Sequence, residues 1–215
     1  PATTALVNVG TGSQVSVWSE EYRTIKGLDT RPFAGKTFLI VGAPLCGGRA
    51  FSLLKDLVGE IGGVFFEDGM TGDEIYRELL ATAKYKTDLR CSTTFSGSRT
   101  APGERGSFDN LTLDNFTIGD FSGAIINGIG SELFGLFRSS GVPSVRLIGS
   151  GNGIRKNPLL ARSIAEQFSL PLGLSVFEEE AALGAALVSG VGIGVFADID
   201  AVGREVERMN SRRME

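Results

Sequence analysis

Three short apolar, mostly β-branched runs each end in a cluster of glycines, and this repeated punctuation constrains the fold more than any other feature. Leu6-Val7-Asn8-Val9 runs into Gly10-Thr11-Gly12-Ser13. Phe38-Leu39-Ile40-Val41 runs into Gly42 and then Gly47-Gly48, and Val145-Arg146-Leu147-Ile148 into Gly149-Ser150-Gly151-Asn152-Gly153. Alternation with a period of two marks the first run as a strand, and the tight break before Val15-Ser16-Val17 marks a hairpin. Behind the second cluster the period lengthens to that of a helix, through Phe51, Leu54, Leu57, Val58 and Ile61 to a stop at Gly62-Gly63. Behind the third, Asn157-Pro158 is an N-cap followed by proline at the first helical position, with Leu160, Ile164 and Phe168 as the inner face.

Between them, Thr117-Ile118-Gly119-Asp120 reads as a capping box before the longest helical stripe, Phe121, Ile125, Ile129, Leu133, Leu136 and Phe137. Residues 172–177 read as a strand, 179–188 and 199–209 as helices, and 88–110 as strand plus loop. Strands alternating with helices predict a single α/β layered domain. A chain of 215 residues can bury a full core.

Composition removes several kinds of chemistry. The sequence has no histidine, which excludes the Ser-His-Asp triad, Cys-His pairs and HExxH zinc sites together. Cys46 and Cys91 form no CxxC, which predicts no metal site and a reducing, cytoplasmic setting. The net charge is −4 and the longest basic cluster is Arg212-Arg213, so no nucleic-acid partner is expected. The uncharged segment 181–197 falls short of the ~20 residues that span a bilayer. It lies between Glu178-Glu179-Glu180 and Asp198, and reads as a buried helix and turn, with no membrane partner expected.

Glycine clusters after strands suit a polyphosphate, because backbone N–H groups can approach it where side chains beyond Cα would block the way. No GxxxxGK[ST] is present, and "GSGNGI" places Ile154 where a dinucleotide fingerprint needs glycine. Any one cluster alone is more often a turn than a ligand site. Three together point toward a nucleotide.

The motifs also carry a resemblance. "LVNVGTGSQVSV" resembles the second phosphate motif of the sugar-kinase, Hsp70 and actin superfamily, and "VRLIGSGNGIRKNPLLARSIAEQF" resembles its adenosine motif. "EEEAALGAALVSGVGIG" is similar to the second connecting helix as found in FGGY carbohydrate kinases. With "FLIVGAPLCGGRAFSLL" and "NFTIG", the pattern looks most like that of the sedoheptulose-phosphorylating members, although "IRKNP" and "CSTTFSGSRTAPGERG" depart from it.

The resemblance implies a ribonuclease H-like, actin-like ATPase domain, a mixed sheet flanked by helices. It implies ATP and Mg²⁺ as cofactors and a small-molecule sugar as partner. The family's first phosphate hairpin and its catalytic aspartate have no counterpart here. The expectation is a carboxy-terminal, ATP-binding half over residues 1–215, inactive alone, whose partner is the amino-terminal domain of the same kinase; a homodimer is left open.

By the same resemblance, Gly10, Thr11, Gly12 and Ser13 meet the terminal phosphate, Gly47 and Gly48 the phosphates or ribose, and Gly149, Ser150 and Gly151 pass under the adenosine. Asn157 would meet the adenine edge and Gln14 would face the sugar. Each has a structural alternative: a turn for 10–13, a cross-strand bond for Gln14, a close helix–strand contact for Gly47 and Gly48, and the N-cap for Asn157. No residue of this chain is expected to serve as the catalytic base or as a metal ligand. The rival functions are another sugar or polyol kinase of the xylulose, ribulose or glycerol type, a non-sugar nucleotide switch of the actin or chaperone type, and an NAD-dependent dehydrogenase.

Overall fold

The computed structural model of the protein describes residues 4–65 and 69–213. In chain order the strands are β1 (Thr4–Val9), β2 (Ser13–Ser19), β3 (Asp29–Phe33), β4 (Thr37–Gly42), β5 (Arg90–Ser92), β6 (Ser107–Asp109), β7 (Arg146–Ser150) and β8 (Leu172–Leu174). The helices are α1 (Gly48–Phe65), α2 (Gly72–Thr82), α3 (Ile118–Ser140), α4 (Asn152–Arg155), α5 (Pro158–Phe168), α6 (Glu180–Gly192) and α7 (Ile199–Arg213).

Six strands form one mixed sheet in the order β3-β4-β2-β1-β7-β8, and β5 with β6 forms a separate two-stranded ribbon. β1 is antiparallel to β2 and β2 to β4, while β7 runs parallel to β1. Two antiparallel steps bring β4 back to the direction of β1. The three strands that precede the glycine clusters therefore all finish at the same edge of the sheet. In open α/β sheets, the space beyond the carboxyl ends of strands is where ligands bind.

Val7, Val9, Val15, Val17 and Ile40 of the sheet are buried in one core with Ile125, Ile129 and Leu133 of α3, as the helical stripe predicts. α3 lies close against the segment that follows α2. A Cβ on Gly123 would collide with the carbonyl of Lys84, so glycine is what lets the backbones meet.

Some local signals resolve differently from the sequence reading. Thr117 caps α3 by accepting the Asp120 N–H at 3.2 Å. The Asp120 carboxylate, however, turns to Lys84 Nζ at 2.6 Å, to Thr87 Oγ1 at 2.8 Å and to the Thr117 hydroxyl. The reciprocal capping box belongs instead to α2, where Thr71 Oγ1 accepts the Glu74 N–H at 3.3 Å and the Glu74 carboxylate accepts the Thr71 N–H at 2.8 Å. α1 continues through Gly62-Gly63 to Phe65, because two glycines weaken a helix without ending it.

The segment 181–197 is a helix and turn, but it is not buried. Only Gly190 of α6 is enclosed, and Val188, Ile193 and Val195 face outward, because α6 packs chiefly on α7 at the surface of the described residues. No helix among the described residues is long and apolar enough to cross a membrane.

Candidate functional site

The hairpin joining β1 to β2 is clamped from both sides by the segments that follow β4 and β7. The Gly48 N–H donates to the Gly10 carbonyl at 2.9 Å, and the Gly47 and Arg49 N–H groups donate to the Thr11 carbonyl at 3.2 and 3.1 Å. A Cβ on Gly47 would stand 2.7 Å from the Ser13 nitrogen, and one on Gly48 would stand 2.5 Å from the Gly10 oxygen. From the other side, a Cβ on Gly151 or Gly153 would lie 2.6 or 2.7 Å from the Val9 oxygen. Gly151 also has φ +85°, a left-handed conformation that glycine adopts readily. The glycines of the second and third clusters thus bring three backbones into contact. The first amides of α1 are spent on hairpin carbonyls rather than left open to an anion.

In front of this junction lies an open cavity of about 560 Å³, within the usual size range for small-molecule sites. Gly10 and Thr11 of the hairpin, Gly48 of α1 and Asn152 and Gly153 of α4 line one side. Arg49 and Ser52 from α1, Lys156 just after α4, and Asp73 and Tyr76 from α2 complete it.

Of the residues singled out in the sequence, Gly10, Thr11 and Gly48 line the cavity. Thr11 and Gly12 are exposed at the hairpin tip, and the Thr11 side chain makes no hydrogen bond among the described residues. Ser13 is buried, with its hydroxyl unpaired among the described residues. Gly47 is buried behind the tip, and Gly149 is enclosed beneath Ile154, Leu172 and Leu174. Ser150 is buried and accepts a 2.7 Å bond from Asn8 Nδ2.

Asn157 is also buried. Its side-chain oxygen caps α5 by accepting the Leu160 N–H at 2.9 Å, and its amide NH₂ faces the Tyr76 hydroxyl as a donor. Gln14 donates from Nε2 to Ser16 Oγ at 2.8 Å, a bond along its own strand rather than across to β1. The third cluster therefore reaches the cavity through Asn152 and Gly153, while Gly149, Ser150 and Gly151 support it from behind.

Arg49, Ser52, Asp73, Tyr76 and Lys156 were missed by the sequence reading. Arg49 directly follows the glycine pair, and Lys156 sits in "IRKNP"; both were legible as cations beside glycine clusters. α2 was announced by Thr71 and Glu74 at capping-box spacing ahead of Ile75 and Leu79. Burial raises the Tyr76 hydroxyl above its ordinary pKa, opposed by the bond to Asn157. The residues present fit a nucleoside polyphosphate, with two cations unpaired among the described residues and a floor of bare backbone beside the hairpin tip.

No protein-family model matches the chain. In sequence it is 26% identical over 167 residues to human sedoheptulokinase, covering 73% of this chain and 34% of that enzyme. In structure it superposes on a ligand-bound xylulose kinase from Lactobacillus acidophilus with a TM-score of 0.79 at 19% identity, covering 94% of this chain and 41% of that one. Plasmodium falciparum glycerol kinase with ADP gives a TM-score of 0.70 at 18% identity over the same shares. The chain thus spans between a third and a half of these relatives' length. It has the ribonuclease H-like, actin-like fold of a mixed sheet between helices, and in sequence and fold together it is similar to the carbohydrate kinases of the FGGY type.

Proposed function

We propose that this chain is the carboxy-terminal, nucleotide-holding half of a carbohydrate kinase that passes the γ-phosphoryl group of Mg-ATP to a hydroxyl of a ketose such as sedoheptulose. The observation that carries the reading is the cavity at the carboxyl ends of β1, β4 and β7, lined by an exposed Thr11 and by Arg49 and Lys156, cations without an ion pair among the described residues. The similarity to sedoheptulokinase supports the choice of a ketose.

In this reading Thr11 and Gly12 attend the terminal phosphate, and Arg49 and Lys156 neutralise the chain of phosphates. Mg²⁺ would be held by the nucleotide's phosphates rather than by a residue of this chain, and would supply further charge neutralisation there. Phosphoryl transfer needs positioning and charge stabilisation more than covalent chemistry from the protein. The base that takes the sugar hydroxyl's proton would come from the amino-terminal half.

Calorimetric titration of the 215-residue chain with ADP and Mg-ATP tests the nucleotide site. Binding with a micromolar or weaker dissociation constant is expected, because half of the phosphate contacts would lie in the other domain. Arg49→Gln and Lys156→Gln should each weaken it about three- to thirtyfold, with a smaller dependence on salt. No binding, or binding indifferent to both substitutions, would remove the cavity from consideration. ATP consumption by the kinase carrying both halves, against a panel of ketoses and polyols, tests the acceptor.

A further inference from the structure

Three ionised side chains in the cavity stand without a hydrogen bond or ion pair among the described residues: Arg49, Lys156 and Asp73. The cations suit a polyphosphate, but a carboxylate facing the same anionic ligand is repelled by it unless it meets donors. The helix that bears Asp73 leaves this carboxylate unused. Glu74 already closes the capping box with Thr71, while Asp73 projects exposed from the same first turn.

Placement narrows what Asp73 can meet. Gly10 and Thr11 form one end of the cavity, against the start of α1. α2 forms another wall, reached through α1 and the cap of α5. There Tyr76, one turn after Asp73, packs edge-on against Phe51 at 5.3 Å between ring centres and bonds Asn157. A nucleotide with its terminal phosphate at Thr11 and its phosphates between Arg49 and Lys156 brings its sugar toward α2. Outside the base, the neutral donors it carries are the vicinal 2′ and 3′ hydroxyls. A carboxylate offers two oxygens to such a pair.

We infer that Asp73 accepts hydrogen bonds from the ribose hydroxyls of the bound nucleotide and so sets a preference for ribonucleotides, an assignment that rests on the nucleotide reading above. ADP, 2′-deoxy-ADP and 3′-deoxy-ADP are titrated into the 215-residue chain and into Asp73→Asn and Asp73→Ala, each with and without Mg²⁺. The native chain is expected to bind ADP roughly tenfold or more tightly than either deoxy form, the scale of a hydrogen bond to a charged group. Asp73→Ala abolishes the preference, so that the three nucleotides bind alike: ADP loses most, and each deoxy form, which still offers one hydroxyl to the native carboxylate, loses less. Asp73→Asn, which keeps one acceptor oxygen, retains part of the preference. Melting temperatures stay near the native value, since Asp73 is exposed and unpaired.

An equal loss for all three nucleotides would overturn the assignment, as would a loss confined to Mg²⁺-containing samples, which marks a metal ligand. A native chain that binds ADP without any ribose preference sinks this assignment alone. A native chain that binds none of the three sinks the nucleotide reading as well.

Discussion

Gly151 rests on the last carbonyl of β1: a Cβ at its position would lie 2.6 Å from the Val9 oxygen, and its φ of +85° is left-handed. From sequence, this glycine looks like part of an exposed loop in which a larger residue would disturb only the ligand. The structure makes it a point of backbone contact between β1 and the turn after β7. Gly151→Val is therefore expected to destabilise the chain by more than about 2 kcal/mol, from strain and collision together. Gly10→Ala is the control. It meets nothing within 4 Å and should change stability by no more than about 0.5 kcal/mol. Urea denaturation of both variants decides the point, and equal stability would refute it.

A second glycine yields an outcome opposite to helix propensity. Gly123→Ala in the middle of α3 would gain about 1 kcal/mol in an isolated helix. Here the added methyl collides with the Lys84 carbonyl, and overpacking of this kind typically costs about 1–3 kcal/mol. A lowered melting temperature is expected; a raised one would mean that α3 and the segment after α2 separate freely.

Acid should loosen the start of α3. The bonds from Lys84, Thr117 and Thr87 hold the Asp120 carboxyl well below its usual range, at about 2. Its folded pKa lies below its unfolded one, so its stabilisation is present in full above the unfolded value near 3.8. That stabilisation is lost as pH falls from there toward 2. Melting curves between pH 6 and 2 should show the native chain losing more stability over this window than Asp120→Asn, which begins less stable at neutral pH. Parallel pH profiles would sever Asp120 from acid unfolding.

The two thiols should be inert in the folded chain. Burial raises the pKa of Cys46 and pushes that of Cys91 up to about 12, so almost no thiolate exists at neutral pH. A thiol reagent should therefore modify both at a rate set by unfolding and increased by denaturant. Fast labelling in native buffer would contradict their burial.

The path of the main chain was largely legible in the residues, whereas the chemistry of the cavity was not. Hairpin, buried strands, the Asn157-Pro158 start of α5 and the stripe of α3 all follow from local periodicity and capping, which act over a few residues. Gly47 and Gly48 announced a close approach, but only the folded chain shows that the approaching group is the hairpin itself. Asp73 and Lys156 lie far apart in sequence; Lys156 at least stands beside a glycine cluster, whereas nothing local marks Asp73 as part of a site. The exposure of α6 escaped notice because an apolar, uncharged segment reads as buried whatever the chain leaves around it.

The junction behind the cavity is made almost wholly of main-chain atoms: carbonyls of Val9, Gly10 and Thr11 against amides and bare α-carbons of Gly47, Gly48, Gly151 and Gly153. A scaffold of that kind asks little of side-chain identity beyond a few positions too crowded for a Cβ. Chains of this fold can then differ in most of their residues and still keep the same platform. That accounts for a superposition with a TM-score of 0.79 at 19% identity. It also leaves new substrate preferences to evolve in the side chains that stand around the platform, without rebuilding it.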